Sequence, residues 1–213
     1  MFTGTLPPRA QKSLALLGKT TCLPKGTYLA GGSGLALHLG HRVSVDFDFF
    51  TPNNFNQERV AQKLEQIGSF KIAEIAPDTL LGLFESTKFS LFRYEAILVS
   101  KTTSLWGIKI ASPQDIGAMK IAAVMDRGTK KDFIDLYFLS KQAGITLDDC
   151  LNNYEKKYKK LANNIYSIVK SLTYFDDAEK SEMPPMLKKI SWEEIKKFFQ
   201  AGVKRLAREK LGI

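Results

Sequence analysis

The stretch Val45-Asp46-Phe47-Asp48-Phe49-Phe50 sets two carboxylates two residues apart inside an apolar run. Side chains on a strand alternate faces, so Asp46 and Asp48 share one side. Val45, Phe47 and Phe49 turn the other way, into a core. Two like charges placed so close need something positive between them, because buried carboxylates are paired or coordinate a metal. Ahead of them, Ala30-Gly31-Gly32-Ser33 reads as a strand end opening into a helix. Free N–H groups and the helix dipole at such a turn bind phosphate. A phosphate cradle beside an acidic pair is the equipment for a nucleoside triphosphate. Magnesium or manganese suits it, since magnesium keeps several waters and needs few protein oxygens.

These residues need positioning elements on either side. Pro7-Pro8 opens a helix that stops at Gly18, and Gly26–Ala30 reads as a short buried strand. Ser33–Leu39 reads as a helix ended by Gly40, Val45–Phe50 as the acidic strand, and Asn56–Ile67 as an amphipathic helix. Strand-like segments follow at 70–75, 79–84, 88–94, 96–99 and near 106–110. Ser112-Pro113-Gln114-Asp115 then starts a helix, with serine as cap, proline at the first position and an acid reaching back. Helices are expected at 113–125, 131–142, 146–158, 161–174 and 191–210, with a flexible linker over Asp176–Pro185. The fold class is therefore α+β: a mixed sheet with flanking helices over residues 1–111, then a helical part over 112–213.

The pattern Ala30-Gly31-Gly32 … Asp46-Phe47-Asp48-Phe49 resembles the nucleotidyltransferase fold shared by DNA polymerase beta and many small transferases. The longer string from Leu29 to Thr51 is similar, more particularly, to the nucleotidyl transferase AbiEii/AbiGii toxin family. So is Met119-Lys120 … Arg127 … Lys131-Asp132 … Asp135-Leu136-Tyr137, and the resemblance spans about residues 24–141. It implies the toxin half of a toxin–antitoxin or abortive-infection pair, some of whose members are thought to add nucleotides to transfer RNA. By resemblance, Gly32 and Ser33 hold phosphate, Asp46 and Asp48 the metal and Lys120 the triphosphate, while Asp132 completes the site.

Chemistry gives those positions alternatives. Lys120, Arg127 and Lys131 are cations suited to phosphate, or a basic helix end pairing with nearby acids. Asp132 and Asp135 share a helical face, and each fits a structural role as well as catalysis. His41 and Arg42, in the turn before the acidic strand, line the substrate mouth or satisfy the turn, and Arg42 is the better candidate for a phosphate contact. Enzymes of this fold often carry a third carboxylate on a later strand. Here that strand offers Ser90, so the third acid is Asp132, Asp135 or absent.

Net charge is +9, with 12 basic and 9 acidic residues in 1–118 against 19 and 13 in 119–213. The excess favours a polyanionic partner. Tyr154-Glu-Lys156-Lys157-Tyr158-Lys159-Lys160 suits RNA through its lysines and stacking tyrosines, or else is a solvated helix with its tyrosines packed inward. No run is apolar and long enough to cross a membrane, no signal-peptide layout opens the chain, and Cys22 and Cys150 lack metal spacing, which together predict a cytoplasmic protein with reduced thiols. The expected activity is transfer of a nucleotide from a nucleoside triphosphate to an acceptor, RNA-like, by a toxin opposed by an antitoxin. The alternatives are a small-molecule nucleotidyltransferase of antibiotic type and a non-catalytic nucleotide- or RNA-binding protein.

Overall fold

The computed structural model describes residues 1–212 and divides the chain into two compact units, Met1–Ser112 and Pro113 onward. In the first unit, helix α1 (Pro8–Gly18) begins with proline at its first position, where no N–H is needed. Strand β1 (Tyr28–Leu29) leads into helix α2 (Gly31–Leu39), which ends at Gly40 in the left-handed conformation. Strand β2 (Phe47–Thr51) precedes helix α3 (Gln57–Ile67), capped by the Asn56 side chain on Arg59 N–H. Strands β3 (Phe70–Ala76), β4 (Thr79–Phe84), β5 (Thr87–Arg93), β6 (Thr103–Leu105) and β7 (Ile108–Ile110) complete the sheet.

The seven strands run in the order β3-β4-β5-β2-β1-β7-β6. Parallel pairs β2/β5 and β1/β7 sit within otherwise antiparallel neighbours. β2 is central, and its alternation is as the sequence implies: Phe47 and Phe49 are fully buried, while Asp48 between them is half-buried. Their rings join a core that includes Leu14, Leu17, Leu64, Phe84, Phe89 and Ile110. Two expectations fail here. Val45 is exposed rather than core, because ladder pairing starts only at Phe47. Residues 96–99 form no strand; Ile97 and Leu98 lie exposed, and the apolar run finds no neighbouring strand to pair with.

The second unit holds α4 (Pro113–Asp126), α5 (Lys130–Ala143), α6 (Leu147–Tyr158), α7 (Leu161–Ser171), the single turn α8 (Asp176–Glu179) and α9 (Trp192–Leu206). Its centre is aromatic: Phe133 packs edge-on against Phe199 and Trp192 and tilted against Phe175. Thr146 and Asp149 form a reciprocal capping box at α6, and Ser191 caps α9 through Glu194 N–H. The segment expected as a loose linker is instead tied down. Ala178 is buried, Ser181 Oγ accepts from Lys130 N–H, and Glu179 accepts from the Trp192 indole and Lys196.

Candidate functional site

The first-unit site is built on the junction of β1, α2 and β2. Gly34 N–H makes the first bond of α2, to Ala30 carbonyl at 3.0 Å. The N–H groups of Gly31, Gly32 and Ser33 therefore occupy the first turn, which has no acceptor one turn back. Two backbone ties bring the acidic strand to this turn. Ala30 N–H donates to the Asp48 carbonyl at 3.0 Å, and the Ser33 hydroxyl donates to the Asp46 carbonyl while sharing a 3.0 Å bond with Ser44 Oγ. Ser33 is buried and its hydroxyl is committed to the scaffold, which leaves its N–H as the polar group it contributes to the first turn of α2.

Gly31 is required by its backbone, and Gly32 is tightly faced by side chains. Gly31 has φ +60°, and a Cβ there would stand 2.4 Å from Asp48 Oδ2. A Cβ on Gly32 would stand 2.4 Å from Arg42 Nη2 and 3.2 Å from Ser44 Oγ. The helix start thus closes directly on one carboxylate and one guanidinium. Arg42 is only 2 % exposed, and its Nη1 donates to the Val43 carbonyl at 3.1 Å. No local sequence pattern reports that this arginine backs the second glycine. Asp46 sits just ahead of β2, and its Oδ1 is buried with no hydrogen-bond partner.

That orphaned oxygen is the test of fit for a divalent cation. A buried carboxylate oxygen is costly to leave unsatisfied, and hard oxygen donors suit magnesium or manganese. Among the described residues no three His, Cys, Asp or Glu side chains converge, so the protein would supply two carboxylates and leave the remaining positions to phosphate oxygens and water. The register explains why no third acid joins them: Asp48 lies opposite Ser90 on β5.

The second unit holds its own charged cluster. Lys120 on α4 reaches Asp132 Oδ1 at 2.9 Å and Asp135 Oδ2 at 2.6 Å on α5. Arg127 adds a two-point contact to Asp132, Nε to Oδ2 at 3.0 Å and Nη2 to Oδ1 at 3.1 Å, and Thr129 Oγ1 donates to Oδ2 at 2.7 Å. Asp132 and Asp135 are fully buried and Lys120 nearly so. Burial alone would raise the Asp132 pKa, but Lys120 and Arg127 outweigh it and hold the carboxyl well below the usual range. Lys120, expected on the triphosphate, is thus set between two carboxylates. Asp132, expected to complete the site, takes four donors on its two oxygens. The Arg127 side chain remains 60 % exposed, and Lys131 is exposed on the first turn of α5.

Asp115, the acid in the first turn of α4, is fully buried and accepts from Lys157 Nζ at 3.0 Å. Lys157 accordingly leaves the candidate RNA surface, since its side chain is fully buried. Lys156, Lys159 and Lys160 are exposed, whereas Tyr154 is buried, meets the Tyr158 ring at a tilt with centroids 4.8 Å apart, and accepts from Asn164. His38 is structural: its Nε2 meets the Ala111 carbonyl at 2.9 Å, and burial lowers its pKa.

A glycine-opened helix against a central strand with paired carboxylates, in a mixed sheet, places the protein in the nucleotidyltransferase fold. JHP933 from Helicobacter pylori superposes with TM-score 0.56 at 18% identity, covering 97% of each chain. MenT4, a nucleotidyltransferase toxin from Mycobacterium tuberculosis, gives 0.59 at 16% identity, over 94% of this chain and 86% of that one. The chain belongs to the nucleotidyl transferase AbiEii toxin family (type IV toxin–antitoxin system), whose sequence profile matches residues 98–210. That span contains Lys120, Arg127, Asp132 and Asp135 but not the Gly31–Asp48 junction. An uncharacterized protein of Aquifex aeolicus is 38% identical over 182 residues, 83% of this chain and 86% of that one. No helix of the described residues is long and apolar enough to cross a membrane.

Proposed function

We propose that the protein transfers a nucleoside monophosphate from a nucleoside triphosphate to an RNA acceptor, as a toxin restrained by a partner antitoxin. The observation that carries this reading is the junction at Gly31, where the first turn of α2 closes on Asp48 and the buried Oδ1 of Asp46 is left without a protein donor. The N–H groups of Gly31, Gly32 and Ser33 would hold triphosphate oxygens, helped by the helix dipole. Arg42, packed behind Gly32, adds a fixed positive charge there. Asp46 and Asp48 would hold magnesium or manganese, which when bound neutralises the triphosphate and acidifies the acceptor hydroxyl. That hydroxyl oxygen would bond to the α-phosphorus as the bond to pyrophosphate breaks.

In the second unit, Lys120 and Asp135 would act through Asp132, whose carboxylate fixes the fork of Arg127. Arg127 and the exposed Lys131 are then the phosphate-facing cations of that unit. RNA as acceptor is favoured by the basic second half and by exposed Lys156, Lys159 and Lys160. One observation favours a non-catalytic nucleotide-binding reading instead: Ser90 stands where a base carboxylate would face Asp48.

The test is label transfer from each of the four α-labelled nucleoside triphosphates, with magnesium, to cellular RNA, RNase-treated RNA and an aminoglycoside. Label entering an RNA band from one nucleotide and lost on RNase treatment is the expected outcome. Label on the aminoglycoside would move the reading to small-molecule transfer. No label, with metal-dependent nucleotide binding intact, would select the binding protein.

A further inference from the structure

The core of the first unit lies on one face of the sheet, where Phe47, Phe70, Phe84 and Phe89 join Leu14 of α1 and Leu64 of α3. The opposite face of β5, β4 and β3 is the Asp48 face, and the strand register orders its residues. Asp48 lies opposite Ser90, Ser90 opposite Leu81 and Leu81 opposite Glu74. Side chains two apart on a strand share a face, so Lys88 and Leu83 stand beside Ser90 and Leu81. Lys88 in turn pairs with Leu83, and Leu83 with Lys71. A second row, Lys88–Leu83–Lys71, therefore starts at the Asp46 end of β2 and runs to the edge of the sheet, which β3 forms.

This row is open to solvent. Lys71 and Lys88 are exposed, and Leu83 between them is 39 % exposed although it is paired on both sides. Leu81 and Ser90, in the row through Asp48, are half-buried. Charge separates the two rows. Asp48 and Glu74 stand at the two ends of the first, while Lys88–Leu83–Lys71 contains no acid. The β3–β4 bulge falls beyond Lys71, between Ile72 and Glu74, so it leaves the basic row in register.

We infer that the Lys88–Leu83–Lys71 row is the track for a single-stranded end of the acceptor RNA, with backbone phosphates on the two lysines and an unpaired nucleoside on Leu83. The inference rests on the RNA reading above and extends it to the form of RNA taken. Neighbouring strands lie about 4.8 Å apart, which sets the two lysine Cα atoms about 10 Å apart, and their flexible ammonium stems reach phosphates along one extended strand from there. The row begins at the acidic pair, so a strand lying along it brings its terminal hydroxyl toward Asp46 and Asp48. Cations around an apolar platform suit unpaired bases, whereas a duplex keeps its base faces inside the stack.

The experiment is fluorescence anisotropy of the full chain with a short labelled single-stranded RNA, in EDTA and without nucleotide, so that it reads docking and not turnover. Lys71→Gln/Lys88→Gln changes two exposed side chains, and a thermal melt checks the fold. The expected result is binding about tenfold weaker in this variant and restored in Lys71→Arg/Lys88→Arg, with the slope of log affinity against log salt reduced by about 1.4, the share of two phosphate contacts on a single strand. Affinity for a blunt RNA duplex should be the same in wild type and the glutamine variant. Equal single-strand binding and slope in those two proteins would overturn the track while leaving the RNA reading standing. An equal loss for the duplex would also overturn it, by making the face an unselective polyanion surface. So would a dimer formed by wild type alone in light scattering, since the face would then join two copies of the chain. No RNA binding by wild type would sink the RNA reading and the track together.

Discussion

Asp46 and Lys120 make opposite demands on the protein, and substitution separates them. Asp46 Oδ1 gains nothing from the folded protein in the form of a hydrogen bond. Asp46→Asn should therefore leave the melting temperature within a degree or two of wild type while abolishing metal-dependent transfer; a melt and a transfer assay read both. Lys120→Met instead strands two fully buried carboxylates beside Arg127 and should cost about 3–5 kcal/mol in chemical denaturation. Asp132 adds a pH dependence. Its folded pKa lies below the unfolded value, so its stabilisation is complete above the ordinary carboxylate range and is lost as pH falls through and below it. The stability advantage of wild type over Asp132→Asn should shrink below about pH 4, seen in melts from pH 6 to pH 2. Cys150 titrates the other way: burial first, then the nearby Asp149 charge, pushes its thiol up to about 12, so it should stay unreactive to thiol reagents until the chain unfolds.

Elements with local punctuation were legible in the sequence, and contacts between distant residues were not. Pro8 and Gly40 mark the start of α1 and the end of α2, and Asn56, Thr146 and Ser191 cap their helices as residue type predicts. The acidic strand is readable from alternation, but apolar character alone places Val45 in the core because it does not reveal where pairing begins. Residues 96–99 show the same limit, for an apolar run becomes a strand only beside another strand. Arg42 behind Gly32, Lys120 beside Asp135 and Lys157 on Asp115 leave no trace in spacing, since the fold brings each pair together across 10, 15 and 42 positions. The last pair divides one helix into two behaviours. Lys157→Ala should destabilise the protein by about 3–5 kcal/mol, because it leaves a buried aspartate unpaired. Neutralising exposed Lys156, Lys159 and Lys160 should leave stability unchanged and lower the salt dependence of RNA binding. An unaltered salt slope would remove that helix from the RNA surface.

At the scale of the whole chain, two compact units each carry one charged cluster, and the clusters differ in kind. The Gly31–Asp48 junction has an unsatisfied carboxylate oxygen and the first-turn N–H groups of a helix, the features on which the proposed nucleotide site rests. The Lys120–Asp132–Asp135–Arg127 cluster balances its own charges and is arranged to hold two helices together. The family profile covers the second of these, and the nucleotidyltransferase fold accounts for the geometry of the first. Manganese titration followed by electron paramagnetic resonance, with a non-hydrolysable nucleoside triphosphate, compares wild type with Asp46→Asn/Asp48→Asn. If the acidic pair holds the metal, manganese binding is nucleotide-dependent in the wild-type chain and lost in a double variant that melts normally. Equal manganese binding by a correctly folded double variant would contradict that role.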